Sequence, residues 1–344
     1  MTALLVPALV LSVLAAMPAR TQADETTPAD DSPVCLTRCI DMRTAGTMRE
    51  GMTLIACTLL LCQEDGRRYY RQGKFEEALR SMEQVKQMAQ ASASYHLDLG
   101  LIYYALGRFS DALKSFETVL NSFPQSVRAS AQRAHTLIRM DRLPEARAQF
   151  EAILTYDTAD EQFKNLKTRS YVAGNLAVLE LSEGDLDAGK AGLDGALEID
   201  ARNKLARTYL TRVYPELAEG RLAPEGVLML LVVWEELEFG RANSAVQKLG
   251  IMLSKWPDFK LGYIVAADAQ RKYGNVAACE STMIAATTRF PDDPNLHAER
   301  IRCTLMRKGV HSMAALPDIQ ELKELAARDP DDPLIQEMLE LINE

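Results

Sequence analysis

A glycine followed five residues later by an alanine returns along this chain at 34-residue steps. It appears as GKFEEA at Gly73 and GRFSDA at Gly107, keeps its spacing in DRLPEA with Asp141 in the glycine's place, and returns as GRANSA at Gly240, with Gly274 one step further on. A fixed period of this size marks a structural unit that cannot bury its own apolar face and must stack on its neighbours. Each unit reads as two amphipathic helices joined by a tight turn. In 93–126 the first helix aligns Leu99, Gly100 and Tyr103 on one stripe, and the second aligns Ala112, Phe116, Val119 and Leu120 on the stripe that faces it. Gly100 and Ala112 let the two backbones approach, while Tyr103 and Phe116 fill the remaining space. Pro124, Pro257, Pro291 and Pro330 stand where helices must stop.

The Leu-Gly, Tyr, Gly, Ala, Phe and Pro of this unit resemble the tetratricopeptide repeat family, with His96 in place of the family's usual tryptophan. Further units keep part of the pattern: Ala134, Ala146, Phe150 and Ile153 in 127–160, and Leu176, Ala177, Gly184, Leu193 and Ala196 in 170–203. Later ones keep Gly240, Ala245, Leu249 and Pro257 in 226–259, and Ala267, Gly274, Ala286 and Pro291 in 260–293. A divergent unit at 294–331 and a capping helix at 332–344 complete the series. The expected fold is therefore all-α, a tetratricopeptide-like helical-repeat superhelix (solenoid) behind a stapled N-terminal hairpin. Nine residues inserted at 161–169 and an extra helix over Lys204–Gly220 divide it into sub-arrays at 59–203 and 204–344. The apolar run VLMLLVVW at 227–234 is too short to span a membrane and reads as core.

The first 23 residues combine an apolar run, Ala3 to Ala19, with small residues at Thr21 and Ala23, and resemble a cleaved secretory signal. The alternative is a retained membrane tether, or a cytosolic adaptor with reduced cysteines. Residues 24–34 form an acidic, proline-containing linker with too little apolar surface to pack.

Six cysteines behind an export signal suggest disulfides. Four of them bracket two helical stretches in 35–64. In an antiparallel hairpin the numbers of facing residues keep a constant sum, and Cys35–Cys62 with Cys39–Cys57 keeps it to within one. The other antiparallel choice, Cys35–Cys57 with Cys39–Cys62, misses by more than a helical turn. The mirrored pattern resembles the twin-cysteine helical hairpin, although CTLLLC departs from CxxxC. A rival reading makes these thiols, with Met42, Met48 and Met52, a soft-metal site. Cys279 and Cys303 fall on neighbouring antiparallel helices, either as a third bond or as independent buried thiols.

Stacked repeats create a concave surface lined by first helices. Its stripe is expected to hold Arg67, Tyr70 and Arg71, then Leu97, Leu101 and Tyr104, then Arg128, His135, Ile138 and Arg139. In the second sub-array the same stripe holds Leu230, Trp234 and Leu237, then Leu261, Ile264, Asp268, Arg271 and Lys272, with Trp234 read as core in preference to an anchor. A basic-apolar-basic groove on a chain of net charge −9 suits a peptide that mixes carboxylates with apolar residues. The family's clamp for chaperone tails is not matched, because Leu97 and Leu101 stand where it needs lysine and asparagine. The acidic balance argues against nucleic acid. His96, His135, His297 and His311 are scattered, and no HExxH, phosphate loop or GxSxG is present. The chain reads as a non-catalytic scaffold or assembly factor for protein partners, exported to the envelope or a secretory compartment, with no cofactor and no metal.

Overall fold

The computed structural model describes residues 34–49, 52–90, 92–156, 166–309, 311–328, 330 and 332–343. The expected export signal at 1–23 lies outside them, as does all of the acidic linker but residue 34. The described residues form helices and turns with no strand among them. They divide into two units, one of 34–179 with 191–207, the other of 180–190 with everything from 208 onward.

In the first unit, α1 (Val34–Thr44) packs on α2 (Leu54–Arg71), and three helix pairs follow: α2 with α3 (Phe75–Glu83), α4 (Ala93–Ala105) with α5 (Phe109–Ser122), and α6 (Val127–Arg139) with α7 (Leu143–Leu154). Local sequence sets where each first helix begins. The hydroxyls of Thr53, Ser92 and Ser126 accept the backbone N–H groups of Ala56 (3.1 Å), Tyr95 (3.3 Å) and Ala129 (3.5 Å). Such a cap contributes about 1 kcal/mol by satisfying a donor the helix leaves open. The turns between paired helices pass through Gly73 (φ 73°), Gly107 (φ 75°) and Asp141 (φ 58°). A left-handed residue suits glycine, and aspartate is among the few others that take it.

Close packing explains the alternation of small and large residues within a pair. A Cβ added at Gly100 would lie 2.5 Å from Cε1 of Phe116, so the ring rests directly on the α4 backbone. Tyr95, buried between pairs, donates from its hydroxyl to the Met82 carbonyl at 3.3 Å, and burial pushes its pKa up to about 12.

The hairpin is held at its start by cysteines. Cys35 pairs with Cys62 and Cys39 with Cys57 at disulfide distance, with Cα separations of 5.4 and 5.9 Å, and all four side chains are buried. Buried Asp65 adds an ionic link, taking Arg38 of α1 at 2.9 Å and Arg68 of α2 at 2.7 Å.

α8 (Leu166–Ser182) and α9 (Leu186–Ile199) continue the helical series, followed by α10 (Lys204–Thr208). Within the first unit Asn203 donates to the Ser170 carbonyl (3.0 Å) and hydroxyl (2.8 Å), and its oxygen caps Ala206 N–H.

The second unit opens on a π-helical turn, Tyr209–Val213, leading into α11 (Tyr214–Ala218). Pro215 supplies the cause: it has no N–H, and its ring displaces the carbonyl four residues before it, so the helix absorbs an extra residue. Tyr209 is wholly buried there, donating to the Val227 carbonyl at 3.3 Å and meeting Trp234 edge-on at 5.4 Å. The apolar run lies in α12 (Pro224–Glu238), with Val227, Leu230, Leu231 and Val233 buried. Helices α13 (Ala242–Lys255), α14 (Lys260–Lys272), α15 (Val276–Arg289), α16 (Pro294–Lys308), α17 (Leu316–Arg328) and α18 (Pro333–Asn343) pack in succession. Cys279 of α15 faces Cys303 of α16 at disulfide distance, Cα to Cα 5.7 Å, within a cluster containing Met283, Ala286 and Leu296. The sequence stripe of this unit needs correction at Leu230 and Leu261, which are buried in packing between helices. No helix of the described residues is long and apolar enough to cross a membrane.

Candidate functional site

The first helices of three successive pairs, α2, α4 and α6, bound a cavity of about 500 Å³ in the first unit. Its apolar floor comes from Leu101, Ile102 and the ring of Tyr70. Its rim comes from Arg67, Arg71, Asp98 and Arg128. The repeat spacing accounts for this convergence, since equivalent positions on consecutive first helices fall side by side when pairs stack.

Charge is unevenly shared around the rim. Arg67 is engaged, its Nε donating to Oδ2 of Asp98 at 2.6 Å. Burial raises the pKa of Asp98 above the usual carboxylate value, against the opposing pull of Arg67 and Arg128. Arg71 and Arg128 have no carboxylate within ion-pair distance among the described residues. Two exposed guanidiniums thus flank an apolar floor, an arrangement that can hold carboxylates bidentately beside an apolar side chain.

Five of the ten stripe residues, Arg67, Tyr70, Arg71, Leu101 and Arg128, are brought together in this cavity. Leu97 lines a separate hollow of about 590 Å³ with Ala93, Val119 and Phe123. Tyr104, His135 and Ile138 need correction: they are 5, 6 and 8% exposed and do not face open solvent. Neighbouring aromatic rings explain two of them. Tyr104 meets Phe109 at 5.5 Å, and His135 lies 5.5 Å from the Phe150 ring with its Nε2 2.7 Å from the Tyr171 hydroxyl. Arg139 does not line this cavity, and its guanidinium lies 4.7 Å from the centre of the Phe109 ring. Asp98 was missed in sequence because one carboxylate on an amphipathic helix gives no signal until its cross-helix partner is known.

The cysteines of the N-terminal hairpin stand as two facing pairs, and no group of three or more His, Cys, Asp or Glu among the described residues is placed to hold a metal ion.

Residues 65–127 match one tetratricopeptide repeat pattern and residues 103–170 match another. Together the two matches span residues 65–170, which resemble tetratricopeptide repeats. The cavity lies inside this stretch. No curated protein matches the chain. Similar solved structures include a tetratricopeptide repeat protein from Parabacteroides merdae, 15% identical, covering 83% of this chain and 99% of its own, with a TM-score of 0.39. PilF of Pseudomonas aeruginosa is 12% identical over 83% of this chain and 99% of its own, with a TM-score of 0.38. PilW, a type IV pilus biogenesis factor, is 17% identical over 72% of this chain and 98% of its own, with a TM-score of 0.38.

Proposed function

We propose that this protein is a non-catalytic scaffold or assembly factor that holds a partner protein through the arginine-rimmed cavity of its first repeats. The observation that carries the reading is the pair Arg71 and Arg128, two guanidiniums with no carboxylate partner among the described residues, beside the apolar floor of Leu101 and Ile102. The fitting ligand is an extended segment in which Asp or Glu alternates with apolar residues. A charge-assisted hydrogen bond contributes about 1.5–3 kcal/mol, so loss of either arginine should weaken binding about tenfold or more.

The compartment is part of the same proposal. The apolar start of the chain and three cysteine pairs at disulfide distance support an exported protein of the envelope or secretory pathway. N-terminal sequencing of the native protein tests that half, with Asp24 or a close neighbour as the expected first residue.

Labelled peptides that combine carboxylates with leucines, set against versions with the carboxylates amidated, test the cavity. Binding should require the carboxylates, weaken with salt and disappear in Arg71→Glu with Arg128→Glu while helicity by circular dichroism is kept. Equal binding by the double variant overturns the reading.

A further inference from the structure

An aromatic residue followed by proline stands directly after three of the second helices: Phe123–Pro124 after α5, Trp256–Pro257 after α13 and Phe290–Pro291 after α15. In the second unit both rings are half-buried. Lys260 places its Nζ 5.0 Å from the centre of the Phe290 ring, and Tyr263 meets that ring edge-on at 6.4 Å. Trp256 rests on Gly226, where an added Cβ would lie 3.0 Å from the indole. Phe123 has no such cover among the described residues and is 57% exposed. Its repeat has Ala93 and His96 where the Phe290 repeat has Lys260 and Tyr263. His96 is turned away to the Gln90 carbonyl at 2.9 Å. What remains is the hollow of about 590 Å³ lined by Ala93, Leu97, Val119 and Phe123, with no charged side chain in its wall.

This hollow adjoins the arginine-rimmed cavity. Leu97 lines the hollow and the next residue, Asp98, lines the cavity; on the facing side Ser126 belongs to the hollow and Arg128 to the cavity. Leu97 and Leu101 carry one apolar stripe from the first to the second. Four residues of helix advance about 6 Å. In an extended chain, side chains two residues apart share a face and are separated by about 6.6 Å. The two periods match, so a segment lying along α4 with one side chain in the hollow offers its second neighbour to the cavity.

We infer that the two hollows form one bipartite site, which takes an extended partner segment with a large apolar side chain against Phe123 and an aspartate or glutamate two residues away between Arg71 and Arg128. The inference rests on the cavity being a peptide site, as in the proposed function, and adds the contact that sets the partner's motif. Charge alone admits any acidic segment. An apolar wall beside it rejects those that bring a polar side chain there. Burial of a leucine in the hollow should tighten binding about tenfold.

The test uses the full chain and, as probe, a fluorescein-labelled peptide of two Leu-Ser-Asp blocks joined by serine. One control peptide has serine for each leucine. A second keeps the composition but gathers the leucines and the aspartates at opposite ends. Native chain should bind the probe about tenfold more tightly than either control. Phe123→Ser, and separately Ala93→Leu, which fills the hollow from α4, should abolish that preference while leaving helicity and the leucine-free peptide unchanged. Arg71→Glu with Arg128→Glu should bind none of the three. Native-like preference in either hollow variant, with loss in the arginine variant, overturns the bipartite site and leaves the cavity standing. Absence of binding of every peptide to the native chain overturns both. Self-association of the native chain on sedimentation, absent from Phe123→Ser, gives the hollow to a second copy and overturns the partner motif.

Discussion

Arg67 of α2 and Asp98 of α4 meet across two successive first helices, Nε to Oδ2 at 2.6 Å. The pair both ties one repeat to the next and sets the charge of the cavity, since among the described residues it leaves Arg71 and Arg128 without a carboxylate partner. Asp98 is nevertheless held above the usual carboxylate pKa of 3.8, because its burial outweighs the attraction of its cationic neighbours.

That direction fixes a pH dependence. A carboxyl group whose pKa is higher folded than unfolded favours the fold below its unfolded value and loses that contribution as pH rises through its folded value. Asp98→Asn removes the slope. The melting temperature of the native chain minus that of the variant should fall as pH rises from about 3 to about 7; a difference that stays flat or rises would contradict the buried-carboxylate account.

The cysteine pairs predict a stability loss confined to the first unit. A cross-link closing a loop of the size between Cys39 and Cys57, a separation of 18, stabilises by about 3 kcal/mol. Cys39→Ser with Cys57→Ser should lower the unfolding free energy by about that amount, read in urea. Thiol titration of the protein purified from its native cells should find no reactive cysteine before reduction.

Gly100 is constrained by the ring lying on it. Gly100→Ala gains about 1 kcal/mol of helix propensity but drives a Cβ to 2.5 Å from Phe116, and overpacking of this kind costs about 1–3 kcal/mol. The net expectation is a destabilised first unit, restored by adding Phe116→Leu. Thermal melts of the single and double variants check it.

Asp141 occupies a left-handed turn where the other pairs of the first unit have glycine. Asp141→Gly should raise stability by up to about 1 kcal/mol and Asp141→Val should lower it, since a left-handed residue with a Cβ costs about 1–2 kcal/mol. Equal melting temperatures for the two variants would contradict this.

These cases show what sequence could reveal. The period of glycine and alanine exposed the helix pairs and their turns because those positions answer to local backbone rules that hold wherever the unit occurs. The mirrored cysteines were legible for the same reason, helix rise being a constant. The groove was only half legible. A helix wheel places Tyr104 and His135 beside Leu101 and Arg128, but whether that flank stays open depends on the rings packed beside it, here Phe109, Phe150 and Tyr171. Likewise nothing in HLDLG at 96–100 says that Asp98 will find Arg67, thirty-one residues away.

The cysteine pairs have a mechanical consequence. A solenoid contacts only nearest neighbours, so a chain pulled from its ends should peel one helix at a time. Oxidised pairs at Cys35–Cys62 and Cys279–Cys303 close loops with separations of 27 and 24 residues, removing about 90 and 80 Å of extensible contour. Peeling from either terminus would halt at a covalent stop, leaving the repeats between as the part that yields under load.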